Sequence, residues 1–596
     1  MSASKPRDFF QYINQIPSTH WLPVCRRGMD ERGWKECDFV FVSGDAYVDH
    51  PSFAAALLCR MLKAEGYRVG IIPQPDWKNS ASYTILGQPR LGFLVGAGSM
   101  DSMVAHYTAN KRKRSGDAYS PGAKHGMRPD RATLVYVEGI RRAYKDTAVI
   151  IGGIEASLRR FAHYDYWSDT VRRSILLDSK ADILVYGMGE KPLLAIARRL
   201  AAGEKITNIH DEKGTCVRIH GSAAVKQRKD TIFLPGYETI KGKDESSLRA
   251  YAEHFMLQKK NTDPLSAKPL AEENDGGRWV IQNPPALPLS VKELDRLYEL
   301  PFTRKAHPIY EAEGGISALK EVSFSLVSSR GCFGGCSFCA ISSHQGRAVV
   351  GRSKESLLRE AKFLTAFPVK GADGFKGYIH DVGGPTANFF HPVCEKQKHG
   401  GFCAERECLY PEPCPKLQAD HSQYMEVLKA LREIKNIKKV FIRSGIRFDF
   451  IQHDKKHGKK FLETLCRHHI SGQLKVAPEH VSANVLKAMS KCPHACYEKF
   501  RKDFTETNKR LGLKQYLLPY IISAHPGAGM KEAEELARYL KNTGFVPEQT
   551  QDFYPTPGTI STVMYHTGLD PRTMKPVYIA KGGRERRMQR ELLKKR

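Results

Sequence analysis

Short apolar runs that alternate with helical patterns fill the first 210 residues and constrain the fold more than any other feature. The runs are DFVFVSG at 38, RVGIIPQ at 68, GFLVGAG at 92, TAVIIGG at 147 and ADILVYGMG at 181. Apolar residues recur at helical spacing between them, as in PSFAAALLCRMLKAEGY and EKPLLAIARRLAAG. Near-continuous apolar strands separated by helices predict a doubly wound parallel sheet that is covered on both faces.

A second alternation begins at about residue 318. Its candidate strands are VSFSLVSS, GYIHDVGG, KVFIRSGIRFD, GQLKVAPEH, QYLLPYIISAHPG and PEQTQDFYPTPG. Helical patterns separate them, as in SKESLLREAKFLTAF, SQYMEVLKALREI, KKFLETLCRHH and MKEAEELARYLKNTG. Six βα units are too few for a closed eight-stranded barrel, so they predict a partial (βα)6 barrel of TIM type. Its site is expected at the carboxyl ends of the strands.

These patterns divide the chain into four parts. We predict a Rossmann-like domain at 1–210, in which Lys111-Arg112-Lys113-Arg114 opens a long exposed loop that runs to about Arg131. A proline-rich connecting subdomain follows at 211–317, with one amphipathic helix near DESSLRAYAEHFMLQ. The barrel is expected at 318–580 and a basic tail at 581–596.

Composition narrows the class of protein. Hydrophobic content of 41% is typical of a globular chain. The sequence has no run of 18 apolar residues, and MSASKPRDFFQYINQ lacks the apolar core of a signal peptide, so we expect a soluble, cytoplasmic protein without membrane contact. The net charge of +29 is typical of a protein that binds nucleic acid, an anionic surface or an anionic substrate. A solvated basic surface, including the tail from Arg584 to Arg596, explains the charge equally well.

Fourteen cysteines in a cytosolic chain do not predict a disulfide framework. Three of them, Cys332, Cys336 and Cys339, form C-x3-C-x2-C directly after the first strand of the second alternation. Thiolates are the usual ligands of iron–sulfur clusters, and three ligands leave one iron of a [4Fe–4S] cubane open to a small molecule. Structural zinc usually takes four ligands in pairs, and the next cysteine lies 55 residues away. The glycines at 331, 334 and 335 let the backbone wrap closely around a cluster. We therefore favour the cluster over zinc and over three unrelated buried cysteines.

The scattered cysteines are expected to be small buried hydrophobes, namely Cys25, Cys37, Cys59, Cys216 and Cys466.

The stretch SSRGCFGGCSFCA, with Phe338 before Cys339, resembles the radical S-adenosylmethionine (SAM) superfamily. The resemblance implies that the open iron binds SAM, that one electron cleaves the sulfonium, and that a 5′-deoxyadenosyl radical then acts on a further substrate. It also implies that Phe338 lies near the adenine. DVGGPTAN resembles the glycine motif of that superfamily, which places Gly383 and Gly384 at the SAM amino group, with Pro385 where an acidic residue is usual.

The same resemblance implies roles for two further residues, on weaker grounds. Ser444 in FIRSGIRFD and Glu479 in VAPEH stand at strand ends where the superfamily contacts ribose or carboxylate. More narrowly, the whole chain resembles the YgiQ-like radical SAM proteins, through SGDAYVDHPSF, VIIGGIEASLRRFAHYDYW, YIISAHPG and QDFYPTPGTIST among other segments. An electron donor of flavodoxin or ferredoxin type is the partner that this resemblance implies.

The N-terminal sheet also resembles the cobalamin-binding modules that precede many radical SAM barrels, through VIIGGIEAS and YGMGEKP. The lower-ligand motif Asp-x-His-x-x-Gly is absent, because Asp49, His50 and Pro51 have the wrong spacing. Cobalamin is therefore not expected as a cofactor. A helix N-terminus that binds another anion is the simpler interpretation.

A second cysteine group occurs in HPVCEKQKHGGFCAERECLYPEPCPKL and comprises Cys394, Cys403, Cys408 and Cys414. An auxiliary iron–sulfur cluster or a structural zinc would organise this long loop, whereas the alternative is a loop whose cysteines only pack. We predict that the four sulfurs converge near the mouth of the barrel. Cys492 and Cys496 are assigned no role. His480 and His525 stand at strand ends, where a histidine can meet a substrate, although a lone histidine is more often a structural hydrogen-bonding group.

The function predicted from these features is reductive cleavage of SAM by a [4Fe–4S] enzyme. Two alternatives remain open. One is an RNA-binding protein whose iron–sulfur cluster is structural, and the other is a methyl- or methylthio-transferase acting on RNA.

Overall fold

The computed structural model describes residues 20–366, 374–545 and 550–594. The first residues, MSASKPRDFFQYINQ, lie outside these ranges, as do residues 546–549 at the start of the sixth candidate strand. The strands of the first half are β1 (Phe39–Ser43), β2 (Val69–Pro73), β3 (Gly92–Gly96), β4 (Val149–Gly152), β5 (His163–Asp165), β6 (Thr170–Arg172), β7 (Ile183–Val185), β8 (Thr215–His220), β9 (Ile232–Phe233), β10 (Leu270–Asn274) and β11 (Arg278–Gln282).

Nine of these strands form one sheet within the described ranges, in the order β2-β1-β3-β4-β7-β8-β11-β10-β9. The five strands from β2 to β7 in this order are parallel, and they are the five apolar runs that the sequence predicts. The remaining two strands, β5 and β6, pair as a hairpin. Because β2 lies on one side of β1 and β3 lies on the other, the chain reverses its direction of travel between β1 and β3. Ligands of open parallel sheets bind at such a reversal.

Both faces of the sheet are covered. Phe39 and Phe41 of β1 belong to one buried core, and Val40 and Val42 belong to another. The helices of the first half are α1 (Arg26–Asp30), α2 (Ala54–Ala64), α3 (Ser102–His106), α4 (Ala132–Ala143), α5 (Gly153–Leu158), α6 (Ile175–Ser179), α7 (Glu190–Ala201), α8 (Ser222–Lys226), α9 (Tyr237–Ile240), α10 (Glu245–Lys260), α11 (Val291–Tyr298) and α12 (Ser317–Val322). The apolar faces of α2 and α7 pack into the first core, while those of α4 and α6 pack into the second. Short 3-10 helices lie at Ser80–Tyr83, Ile206–Asn208, Asp275–Gly277 and Pro308–Glu313.

The sheet extends beyond residue 210, where the sequence predicts that the first domain ends. β8 is antiparallel to β7, and β11 and β10 continue the sheet in antiparallel fashion. The predicted boundary therefore falls inside one sheet. These strands escaped prediction because Thr215–His220 and Leu270–Asn274 mix polar with apolar residues. Leu270 also directly follows Pro269.

The described residues of the second half contain six parallel strand segments in chain order. Its strands are β12 (Ser325–Val327), β13 (Ser329–Arg330), β14 (Val350–Gly351), β15 (Tyr378–Ile379), β16 (Asp381–Gly383), β17 (Lys439–Val440), β18 (Gln473–Glu479), β19 (Tyr516–Ser523), β20 (Thr550–Asp552), β21 (Leu569–Asp570) and β22 (Lys575–Pro576). β12 pairs with β16, β15 pairs with β17, and β18, β19 and β20 pair in that order, all in parallel. A parallel bridge from Ile446 to Val476 joins the third segment to the fourth. This succession is the order that the six candidate βα units predict.

Helices separate these segments and bury the faces that their sequences predict. They are α13 (Ile341–Gln345), α14 (Lys354–Thr365), α15 (Glu395–Lys398), α16 (Ser422–Arg432), α17 (Phe448–His453), α18 (Gly458–Thr464), α19 (Ala483–Ala488), α20 (His494–Leu511), α21 (Met530–Thr543), α22 (Ile560–Thr567) and α23 (Gly583–Leu592), with a π-helical turn at Leu465–His469. Leu357, Ala361 and Leu364 of α14 share a core with Leu428 and Leu431 of α16.

Two basic segments are less exposed than the sequence predicts. Arg128, in the loop predicted to be exposed up to Arg131, is only 1% exposed and pairs with Asp117. In the C-terminal segment, Arg586 and Gln589 of α23 are buried. The Arg586 guanidinium donates hydrogen bonds to the Tyr166 hydroxyl at 2.6 Å and to the Phe553 carbonyl at 2.7 Å. The segment from residue 583 to 592 is therefore part of the packed structure.

Candidate functional site

The three cysteines of the C-x3-C-x2-C stretch lie on one loop between β13 and α13. All three are free thiols. Burial raises the pKa of the Cys339 thiol to about 12, and the neighbouring Cys336 and Cys332 sulfurs contribute in the same direction. This mutual repulsion shows that the sulfurs are close neighbours. Bound iron would offset it, because a cation favours the thiolate form of its ligands.

Glycines fix the path of this loop. Gly331 has φ +83°, and a Cβ there would collide with the Ala348 carbonyl. Gly335 has φ +65°, and a Cβ there would collide with the Glu407 carboxylate. The left-handed backbone and the lack of space both exclude larger residues.

Arg447 reaches the cysteine loop from the third strand segment. Its Nη1 donates hydrogen bonds to the Cys336 sulfur at 3.5 Å and to the Gly334 carbonyl at 3.3 Å. Its Nε and Nη2 donate to the two carboxylate oxygens of Asp449 at 2.9 and 2.5 Å. Sequence reasoning missed this residue, although Arg447 and Asp449 are two positions apart in FIRSGIRFD.

A buried chain of hydrogen bonds holds Arg447 in place. The Arg447 amide donates to Asn388 Oδ1 at 2.9 Å, and Asn388 Nδ2 donates to the Arg447 carbonyl at 3.1 Å. Asn388 also contacts His421 Nε2 at 3.2 Å, and His421 Nδ1 lies 2.7 Å from Asp454 Oδ2. Because all these side chains are buried, the position of the guanidinium is set by the fold.

The glycine motif meets Ser444 and the start of the cysteine loop. A Cβ on Gly383 would lie 2.8 Å from Ser444 Oγ, and one on Gly384 would lie 2.5 Å from the Ser329 carbonyl oxygen. Asp381 accepts hydrogen bonds from the Ser444 hydroxyl, from the Ser444 amide at 3.1 Å and from the Arg443 amide at 2.7 Å. The structure thus brings Gly383 and Ser444 together. It also adds Asp381 to the candidate site, a residue that could have been identified from the sequence because it begins the DVGG motif.

Glu479 ends β18 with a left-handed backbone, φ 68°. Burial raises the pKa of its carboxyl group, while Lys491 and Arg447 oppose the shift. The Lys491 ammonium, on a residue only 3% exposed, lies 3.8 Å from Glu479 Oε1. Glu479 therefore lies in the same electrostatic neighbourhood as Arg447, and Lys491 is a second residue that sequence reasoning missed.

Phe338 packs edge-on against His525, with ring centroids 5.9 Å apart. His525 is buried, its Nε2 lies 2.7 Å from Ser561 Oγ, and burial lowers its pKa to about 3. Burial likewise lowers the pKa of His480 to about 3. Both imidazoles are therefore neutral near pH 7, and His525 contacts the aromatic residue of the cysteine stretch.

The donor set of the first loop fits a [4Fe–4S] cluster. It offers three neighbouring thiols, a hydrogen-bonding cation and glycines where the backbone must turn tightly. In the described ranges, no group of three or more His, Cys, Asp and Glu side chains could hold a single metal ion. A cubane binds each cysteine through a different iron, so its ligands stand farther apart than those of one ion.

The second cysteine group lies against the first loop. The electrostatic neighbours of Cys408 include Cys394 and Cys403, and the Cys414 amide donates to the Cys408 carbonyl at 2.9 Å. Arg347 donates to the Cys403 carbonyl at 2.8 Å. Because these sulfurs form no single-ion site in the described part of the chain, a zinc sphere is not assembled here. A metal at the four cysteines stays a prediction.

A cavity of about 180 Å³ lies between the carboxyl edge of the large sheet and the cysteine loop. Arg160, Gly187 and Glu190 line it from the sheet side, and Cys336, Cys339 and His344 line it from the other. His344 of α13 contacts the Ser157 hydroxyl of α5 at 3.2 Å. The two halves of the chain therefore meet directly beside the cysteines.

The reversal point between β1 and β3 is filled by the chain itself. Asp45, after β1, accepts hydrogen bonds from the Ser99 amide at 2.6 Å and from its hydroxyl at 2.7 Å. Arg128 pairs with Asp45 at 3.1 Å and with Asp117 at 2.9 Å. A Cβ on Gly98 would collide with Asp45. Side chains therefore occupy the place where such sheets bind ligands.

Comparisons with known proteins place the chain in a family. The family described as Radical SAM N-terminal matches residues 21–325, and a domain of unknown function, DUF3362, matches residues 548–596. These matches define the class of the protein, which is a radical SAM enzyme. The chain belongs to the UPF0313 family. A UPF0313 protein of Clostridium botulinum (strain 657 / Type Ba4) is 50% identical over 96% of this chain and 87% of the relative. One of Clostridium perfringens (strain 13 / Type A) is 51% identical over 96% of this chain and 84% of the relative.

Two solved structures are similar at lower identity. The radical SAM methyltransferase TsrM from Kitasatospora setae, with tryptophan and a SAM analogue bound, has a TM-score of 0.48 at 14% identity, covering 87% of this chain and 74% of TsrM. The cobalamin-dependent radical enzyme OxsB has a TM-score of 0.47 at 10% identity, covering 89% of this chain and 55% of OxsB. None of the helices in the described residues combines the length and apolar character needed to cross a bilayer.

Proposed function

We propose that the protein cleaves SAM reductively, with a [4Fe–4S] cluster held by Cys332, Cys336 and Cys339. When bound, the cluster passes one electron to the sulfonium of SAM, and methionine and a 5′-deoxyadenosyl radical result. The observation that carries the proposal is the arrangement of three neighbouring thiols on one loop with Arg447 hydrogen-bonded to Cys336. The electron would come from a reductant of flavodoxin or ferredoxin type.

The chain's own residues bind and orient SAM in this proposal. The backbone at Gly383 and Gly384 can approach the amino acid part of SAM closely, because no Cβ fits there. Asp381 orients the Ser444 hydroxyl, which then presents one face to the ribose or carboxylate. Glu479 is held beside Lys491. Phe338, which belongs to the cysteine loop, packs against His525.

We also propose that the protein functions without cobalamin. Asp49 is fully buried in an ion pair with Arg60, and the His50 Nε2 contacts Arg304 at 3.2 Å, so neither residue is free to serve a cobalt. Arg128 fills the reversal point of the sheet. Stoichiometric cobalamin retained after gel filtration of protein loaded with hydroxocobalamin would contradict this proposal.

Spectroscopy tests the cluster assignment. Anaerobically reconstituted and reduced protein should give the electron paramagnetic resonance signal of a [4Fe–4S] cluster, and SAM should change that signal through the open iron. Cys336→Ala should lose the signal, whereas Cys466→Ala, at a buried cysteine outside the loop, should keep it. A signal in the Cys336→Ala protein that matches the unsubstituted protein would refute the assignment.

A further inference from the structure

Arg160 carries an unpaired charge in the cavity beside the cysteine loop. It is 8% exposed, its Nε donates to Gln282 Oε1 at 2.5 Å, and its Nη1 donates to the Ser157 carbonyl at 2.7 Å. Within residues 20–366, 374–545 and 550–594, its Nη2 has no hydrogen-bond partner and its guanidinium forms no ion pair. One face of a buried, permanently charged group therefore opens into the cavity.

The other arginine and lysine side chains of the cavity each pair with a carboxylate of the protein. Arg330 pairs with Glu190, and Lys259 and Arg347 both pair with Glu407, at 3.0 and 2.7 Å. Lys191 pairs with a glutamate outside the cavity at 3.1 Å. Among the described arginine and lysine residues of the cavity lining, Arg160 alone lacks a carboxylate partner. Because Lys259 and Arg347 share the one carboxylate of Glu407, the lining carries two positive charges in excess, one of them on Arg160.

Burying a charge without a partner is costly, and proteins retain such groups where a ligand supplies the partner. The Tyr186 ring, 5.1 Å from the Arg160 guanidinium carbon, compensates only in part, because a cation–π contact is weaker than an ion pair in such a site. The Glu190 Oε2 atom is also buried without a hydrogen-bond partner in the described chain. The unpaired Arg160 Nη2 and Glu190 Oε2 atoms both indicate that the cavity binds a polar ligand. The positive charge of Arg160 indicates that this ligand is negatively charged.

The remaining lining residues and the volume of the cavity restrict the polarity and the size of this ligand. Phe255, Leu287, Phe402 and Met188 present apolar surface to the same cavity. A cavity of about 150 Å³ accommodates benzene, so one of about 180 Å³ takes a single ring or a short chain with one polar group.

We propose that the cavity is the substrate site and that it binds a small organic anion, a carboxylate or phosphate on an apolar body of about the size of one ring. Arg160 binds the anionic group through Nη2. The role of the cavity as a substrate site rests on the proposed SAM cleavage, because Cys336 and Cys339 line the same cavity. Binding of the anion rests only on the cavity and its charge.

The test uses three probes of one ring each on reconstituted full-length protein, without SAM or reductant. Calorimetric titration compares benzoate and phenyl phosphate, which separate carboxylate from phosphate, with neutral benzamide. The account predicts saturable binding of at least one anion and about tenfold or more weaker binding of benzamide, as expected for loss of one charged hydrogen-bonding partner. This comparison needs no variant, so it does not depend on how a substitution folds.

Variants place the binding at Arg160. Arg160→Gln should weaken anion binding about tenfold or more, whereas Arg160→Lys should retain a measurable part of it. Arg141→Gln is the matched control, since Arg141 belongs to the same half of the chain but pairs with Asp182 at 2.8 Å outside the cavity. Equal binding of benzamide and benzoate, no binding of either anion at millimolar concentration, or unchanged binding in Arg160→Gln would overturn the proposal. Failure of SAM cleavage would leave these titrations unaffected, so the two proposals fail separately.

Discussion

Arg447 Nη1 lies 3.5 Å from the sulfur of Cys336 and donates a hydrogen bond to it. The same guanidinium is held by both oxygens of Asp449 and by the Asn388 side chain through the Arg447 backbone. A positive group that contacts a cluster ligand stabilises the extra electron of the reduced state. In the proposed enzyme, Arg447 would therefore position Cys336 and favour the reduced state of the cluster.

Removing this hydrogen bond should make the cluster harder to reduce. Arg447→Met alone would leave Asp449 buried without a partner, which destabilises proteins by about 3–5 kcal/mol. The double variant Arg447→Met/Asp449→Leu removes both charges together and is the better test. Redox titration followed by electron paramagnetic resonance should give a more negative midpoint potential than in the unsubstituted protein.

The control for this prediction is Arg443→Met, because Arg443 lies in the same strand segment and stacks over Phe441 instead of contacting a cysteine. Its potential should not change. An unchanged or more positive potential in the double variant, with iron content preserved, would rule out tuning by Arg447.

Two glycines with positive φ separate the effect of backbone strain from that of a steric collision. Gly331 and Gly346 have φ of +83° and +81°, but only at Gly331 does a Cβ collide with the backbone, whereas Gly346 has open space. Alanine at a positive φ is strained, by about 1–3 kcal/mol, at either position. Gly331→Ala should also displace the cysteine loop and lower the iron content after reconstitution, while Gly346→Ala should keep normal iron content. Equal iron content in the two variants would show that the loop tolerates displacement.

His525 should make stability depend on pH. Burial lowers its folded-state pKa to about 3, from an ordinary value of 6.5, so in this interval the unfolded chain binds the proton and the folded chain does not. Stability is then highest above pH 6.5 and falls as the pH decreases toward 3. Between pH 7 and 5.5 this residue should account for a loss of about 1 kcal/mol.

Urea unfolding of the apoprotein measures this effect. His525→Gln should flatten the fall in unfolding free energy between pH 7 and 5.5 by about 1 kcal/mol relative to the unsubstituted protein. His399→Gln, at an exposed histidine, supplies the control and should leave the profile unchanged. A His525→Gln profile parallel to that of the unsubstituted protein would show that folding does not lower the pKa of His525.

The C-terminal helix offers a prediction about stability. Arg586→Leu removes the donors to the Tyr166 hydroxyl and the Phe553 carbonyl, so we expect a loss of about 2 kcal/mol in unfolding free energy. Arg587→Leu, one residue further on and exposed, should change it by less than about 0.5 kcal/mol. Equal stability of the two variants would mean that the helix is not held by Arg586.

Sequence patterns predicted the elements of the fold better than the buried charges. The strand Phe39–Ser43 and the helix Ala54–Ala64 follow directly from apolar spacing, and the six parallel segments of the second half occur in their predicted order. The three cysteines could be recognised as a candidate cluster site because they lie close together in the sequence. Arg160, by contrast, meets Gln282 from 122 positions away, and Arg447 meets Cys336 from 111 positions away. No local pattern distinguishes these arginines from exposed ones, since the fold alone creates their surroundings.

Formation of 5′-deoxyadenosine tests the central claim most directly. Reconstituted protein would be incubated anaerobically with SAM and dithionite, and the products would be separated by liquid chromatography with mass detection. The account predicts 5′-deoxyadenosine and methionine in equal amounts from the unsubstituted protein and from Cys466→Ala, and neither above background from Cys336→Ala. Absence of 5′-deoxyadenosine from fully loaded, reduced protein, or equal yields from Cys336→Ala, would contradict it.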